Sequence, residues 1–201
     1  MAAVDLTRRA LAASLRRLLM TRRLSKITVR MITDDCGVSR HTFYHHFADV
    51  YDLLTYLFRM EIVEDLPVYC RHTTWRAGVD RVLTYTADNP ELCLSVYHSL
   101  GRERSERFLC GVFNRLLRGV VDDLCRDDPV DEETRCQVAS FFAFALLGQF
   151  LDWLSRGLEE SPLVVGRRIE EMMDGTIRHV LDNRRRACAS GRVGKVMQGP
   201  W

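Results

Sequence analysis

Apolar residues recur at helical spacing from one end of the chain to the other, and no stretch alternates with the period of two that marks a strand. Leu11, Leu15 and Leu18 form the inner stripe of a helix over about residues 5–21. Its outer face carries paired arginines: Arg8 and Arg9, Arg16 and Arg17, Arg22 and Arg23. Two short helical signals follow, over 28–36 and 39–47. A longer one starts at Asp49, with Val50, Leu53, Leu54, Leu57, Phe58 and Ile62 at core spacing, and Pro67 predicts a kink or stop. Further helices are expected over 74–88, 91–99, 103–126 and 131–156. Ser161-Pro162 opens a last one, running over about 164–182. The fold class is all-α.

The two short helices carry the densest signal. Thr28 can cap the first, whose inner face holds Ile32 and Cys36. Gly37 can take the left-handed conformation that ends a helix. Val38 plugs the turn, Ser39 caps the second helix, and Phe43 and Phe47 share its buried face at i,i+4. Short helices crossing over a glycine turn make a helix-turn-helix, whose second helix fits the DNA major groove. The outer face of that helix holds Arg40, His41, Tyr44 and His45, all able to reach phosphates or base edges.

Charge sharpens the picture. Residues 1–47 hold nine Lys/Arg and three acids, a net of +6; residues 48–183 hold fifteen Arg and twenty-four acids, a net of −9. Residues 184–201 add five basic residues and no acid. A basic head on an acidic body suits a protein that offers one end to a polyanion. The seven cysteines show no C-x-x-C pair and read as reduced, buried, small hydrophobes rather than disulfide or zinc ligands. His41 and His45 stand four apart, a spacing zinc can use, but no third ligand is near in sequence, and DNA contact is preferred to metal. The apolar run 138–154 is short and carries Gln149 and Asp152, which favours a buried helix over a membrane span. No secretory leader is evident, and a cytoplasmic location is expected. No nucleophile elbow, P-loop, H-E-x-x-H or dinucleotide fingerprint occurs, so no enzyme and no cofactor is expected.

The pattern T-x-x-x-I at 28–32, C-G-V-S at 36–39, T-F-Y-H-H-F at 42–47 and L-L at 53–54 resembles the TetR/AcrR family of bacterial transcription regulators. WLSRGLEESP at 153–162 is similar to the subgroup of dihydroxyacetone kinase regulators. The resemblance implies a three-helix DNA-binding head, a linking fourth helix, and a helical body that binds ligand and dimerises. It implies that Thr28, Tyr44 and the first-helix arginines hold phosphates. Arg30 becomes a candidate guanine reader, and Arg40, His41, Thr42 and His45 face the bases, with Ser39 at the head of their helix. His46 takes a structural role. Three departures stand out: Thr33 where the family has a small alanine, His41 where many members have glycine, and Ala48-Asp49-Val50 where a lysine usually meets a phosphate.

In the body, the aromatics Trp75, Tyr97, Phe113, Phe141, Phe144 and Trp153 could be core or could line a pocket. Candidate ligand contacts are Tyr97, His98, Phe113, Asn114, Phe144 and Gln149. The helices at 131–156 and 164–182 carry more apolar surface than one small body needs, which suggests pairing with a second copy. The expected organisation is a DNA-binding head over 1–48, a regulatory and dimerising body over 49–183, and a basic, disordered tail over 184–201. The expected function is a regulator, a repressor by the commoner sign in the family. It would bind a pseudo-palindromic operator as a homodimer and respond to a small molecule or partner protein. The alternative is a module of the same fold that has lost operator binding and serves protein interaction.

Overall fold

The computed structural model describes residues 2–190. Helix α1 (Ala2–Leu19) buries Leu11, Ala12, Leu15 and Leu19. It packs on α2 (Val29–Cys36) and α4 (Val50–Phe58). The buried Ser14 hydroxyl donates to the Ile32 carbonyl at 3.1 Å, which pins α1 to α2 without leaving a polar group unsatisfied.

The ends of the short helices are set as their residues dictate. The Thr28 hydroxyl accepts the Met31 amide, and the α2 chain stops at Gly37, whose φ of 69° lies in the left-handed region. The Gly37 and Val38 amides both bond back to the Thr33 carbonyl, closing the last turn. Ser39 caps α3 (Arg40–His46) by accepting the Thr42 amide at 3.0 Å. Asp49 caps α4 through the Asp52 amide at 2.8 Å, while the Asp52 carboxylate reaches back to the Ala48 amide at 3.0 Å.

Beyond Phe58 the chain does not run on as one α-helix to Pro67. Residues Arg59–Val63 widen into a single π turn, and a 3-10 turn follows at Leu66–Tyr69. The wide turn buries Ile62 and Val63 together, and Arg81 donates to the Glu61 carbonyl at 3.2 Å. A π bulge persists where outside groups satisfy the backbone it disturbs.

The body comprises α5 (Trp75–Asp88), α6 (Pro90–Leu124), α7 (Glu132–Ser155), α8 (Pro162–Met173) and α9 (Thr176–Ala189). No strand occurs among the described residues. Helix α6 is two helices that meet at a kink at Gly101, where φ is 71° and ψ is 171°. This joins the stretches expected separately at 91–99 and 103–126. Helices α6 and α7 lie along each other, α5 rests on α8, and the buried residues form one cluster from Leu11 to Leu181. Helix α7 is long and apolar enough to cross a bilayer by length and composition, but Val138, Phe142, Leu146 and Phe150 are buried inside the body.

Three expectations need correction. The last helix is two: the chain breaks at Asp174 and restarts after Gly175, which sits at φ 68°. The tail boundary at 184 is too early, because α9 runs to Ala189; the remaining tail, 191–201, lies outside the described residues. Arg185 explains the extension. Its guanidinium meets the Asp128 carboxylate at 2.9 Å and the Leu124 carbonyl at 3.3 Å, tying α9 to the end of α6. Finally, only Cys125 of the seven free cysteines is buried; Cys136 and Cys188 are exposed and the others half-buried.

The turn at Gly37 and an open helical glycine offer opposite stability effects. Gly37→Ala should lower stability by about 1 kcal/mol, because a Cβ resists positive φ even in open space. Gly111→Ala, in exposed mid-helix with nothing near the added Cβ, should raise it by about 1 kcal/mol. Urea midpoints shifting the same way for both would contradict this.

Candidate nucleic-acid interface and body cavity

Helix α3 is positioned from below. Phe43 is fully buried and Phe47 nearly so, their rings 6.0 Å apart, and Phe47 meets Tyr56 of α4 at 5.4 Å. Arg8 lies over the Tyr56 ring at 4.4 Å and the Phe47 ring at 5.4 Å, clamping α1, α3 and α4 together. With Phe43 and Phe47 facing inward, Arg40, His41, Tyr44 and His45 face outward and are exposed. Tyr44 keeps 59% of its surface, although its ring edge touches Phe43. Thr42 is half-buried, and its hydroxyl is 2.9 Å from that of Ser39. Thr28 and Ser39 are exposed at the two helix starts. These residues therefore share the free rim of the head. Among the described residues, no group of three or more His, Cys, Asp or Glu could hold a metal ion.

The arginines divide into two sets. In α1, Arg9 pairs with Asp5, Arg16 with Glu61 and Arg17 with Asp35. With Arg8 over the aromatic rings, each of these four α1 arginines has a partner within the protein. Arg30 makes a long 3.4 Å bond to Asp34 and is otherwise exposed. Arg22, Arg23, Lys26 and Arg40 carry no ion pair among the described residues. The acids of α2 are thus offset, Asp35 by the Arg17 guanidinium at 2.6 Å and Asp34 by Arg30. Thr33 fits the alanine position because its hydroxyl, buried, donates to the Arg30 carbonyl of its own helix.

A second candidate site lies beside α4, the helix that follows the head. A cavity of about 540 Å³ opens between α4 and the body, with Leu54, Phe58, Val82, Val96, Phe150 and Leu154 in its walls. Of the candidate ligand contacts, Tyr97 lines it and the others do not. Phe113 is buried in the core against Phe150, with ring centroids 5.9 Å apart. Asn114 ties α6 to α7, donating to the Cys110 carbonyl and accepting from the Ser140 hydroxyl at 3.2 Å. His98 and Gln149 are exposed, and Phe144 is 60% exposed and lines a separate groove with Leu147 and Leu151. Tyr97 and Arg104 are two helical turns apart and share the cavity face, whereas Phe113 and Asn114 lie on other faces of α6.

Next to the cavity, Glu61 joins head to body. Its carboxylate accepts from Arg16 of α1 at 2.8 Å and, at short range, from the Tyr85 hydroxyl of α5. Arg16 also donates to Asn89 at 3.0 Å. Burial, and then the Glu61 carboxylate, raise Tyr85 well above its ordinary range; burial pushes the neighbouring Cys93 thiol up to about 12. Sequence reasoning missed this junction. Its one sequence signal is an acid set between the apolar Met60 and Ile62.

Residues 73–175 match the TetR-type family model described as the transcriptional regulator C-terminal region. The chain belongs to the TetR family of transcriptional regulators. A TetR-like fold is also seen in a solved structure, the dihydroxyacetone kinase operon activator DhaS. The two superpose with a TM-score of 0.67 at 18% identity, over 87% of this chain and 97% of that one. No curated protein sequence matches. As a TetR regulator the protein is non-enzymatic.

His46 gives this TetR head a pH response of stability. Burial, then the charges of His45 and Arg8, hold its pKa below the ordinary 6.5. The unfolded chain therefore takes up this proton first, so the stability it confers is present above about pH 6.5 and lost as pH falls below it. His46→Gln should flatten the decline of stability between about pH 7 and 5. An unchanged slope would contradict the assignment.

Proposed function

We propose that this regulator binds DNA through the outer face of α3 and the basic groups around it. The observation that carries the reading is the exposed rim of Arg40, His41, Tyr44 and His45 on a helix fixed by a cap and two buried phenylalanines. The functional units are a head over residues 1–48 and a body from 49 onward. Thr28 and Tyr44 suit phosphates, Arg30, Arg40, His41, Thr42 and His45 suit base edges, and Ser39 sets the helix start. The acids that motivate the rival interaction module are engaged internally: Asp35 with Arg17, Asp34 with Arg30, and Asp49 and Asp52 at the start of α4. That favours the DNA-binding reading.

A pseudo-palindromic operator asks for two heads, and the surface supports a homodimer. Phe141 and Phe144 of α7, and Leu163, Val164 and Met172 of α8, are large apolar groups left exposed on the two helices expected to pair. The cavity beside α4 is the effector site, because any ligand there touches both the body and the helix that carries the head. The sign of regulation is repression, the commoner one in the family, and the working location is cytoplasmic.

The test is a selection of bound genomic fragments, followed by affinity measurements on the best fragment. Binding should fall steeply between about 50 and 200 mM salt. Arg40→Ala should cost about 1–3 kcal/mol and relax preference at one base position. No enriched fragment, or a salt-independent affinity, would favour the interaction module instead.

A further inference from the structure

We infer that the cavity takes an amphipathic organic anion, an apolar body ended by one carboxylate, with Arg104 as the residue that binds the acid group. This rests on the reading of the cavity as the effector site and adds the chemical class of its ligand. The deep walls are apolar: Phe58, Val82, Val96, Phe150 and Leu154 are all buried. The three aliphatic hydroxyls that reach the lining are already spent on carbonyls of their own helices, and the phenol groups of Tyr51 and Tyr97 are the further hydroxyls there. Thr86 donates to Val82, Ser105 to Gly101 and Thr55 to Tyr51, at 2.8, 3.0 and 3.0 Å. A ligand with polar groups along its body would strand them against hydrocarbon.

The polar end is at the rim. Two arginines, Arg104 and Arg107, and one carboxylate, Asp49, line the cavity there. Asp49 is committed to the Asp52 amide, and Arg107 donates to Glu103 at 3.1 Å. Arg104 has no ion pair among the described residues. Its guanidinium lies 4.8 Å from the centre of the Tyr51 ring, on the first turn of α4. Stacking holds the planar group by its face and leaves its N–H edge for a carboxylate, the bidentate geometry that suits arginine. A cationic ligand would instead meet two like charges. Because Tyr51 sits two residues after the cap of α4, an acid bound at Arg104 acts at the point where the head joins the cavity.

Three probes with one chain and three head groups test this on the full chain: decanoate, decanol and decylammonium, each titrated calorimetrically at neutral pH below its micelle concentration. Decanoate should bind at least tenfold more tightly than decanol, with decylammonium weakest. Arg104→Gln, an exposed change that should leave the melting temperature in place, should bring decanoate within twofold of decanol while decanol binding stays unchanged. Equal binding of decanoate and decanol to the wild type, or an unaltered preference in Arg104→Gln, overturns the anion assignment and leaves the effector cavity standing. Binding of none of the three overturns both.

Discussion

A helix of seven residues does not hold itself together in water, and α3 is that short. Whatever the head presents to a partner therefore depends on what fixes α3 from outside. Ser39 closes its first turn, Gly37 sets its angle to α2, and Phe43 sinks completely into the core formed with α1 and α4. Losing a ring buried in this way typically costs about 3–5 kcal/mol. Arg8 adds a clamp by stacking on Phe47 and Tyr56 at once. The outer residues of α3 contribute little to this support, which leaves them free for recognition.

In the proposed reading, regulation acts through α4. Its first turn is capped at Asp49 directly after the head, and its flank is one wall of the cavity. Its far end widens into the π turn that sets Glu61 between Arg16 of the head and Tyr85 of the body. A helix held at three points by different parts of the molecule can convert occupancy of the cavity into movement of the head. The coupling requires only that the ligand favour one placement of α4 over another.

Much of the head was legible in the sequence because its determinants are local. A cap and its amide lie three residues apart, and a positive φ requires a glycine, so Thr28, Gly37, Ser39 and Asp49 announce themselves. The body was legible in helix order but not in helical phase. The sequence placed Tyr97, Phe113 and Asn114 in one pocket, yet only Tyr97 lines it, and nothing local states which face of α6 meets α4 or how far the chain bends at Gly101. Pairings between distant charges were equally hidden. Arg16 and Glu61 lie far apart in sequence, and only the fold shows that most α1 arginines are engaged within the protein. The break at Asp174–Gly175 was obscured by an apolar stripe that continues across it, from Ile169 to Ile177 and Leu181.

The central claim is that two such heads grip one duplex together. A hydroxyl-radical footprint on a selected fragment, with the mass of the complex measured in parallel, tests it most directly. The account predicts two matched protected patches on one face of the DNA, spaced by about one helical turn of roughly 10 base pairs or a multiple of it, in a complex holding two chains. A single asymmetric patch, or protection spread evenly along the fragment, would contradict it.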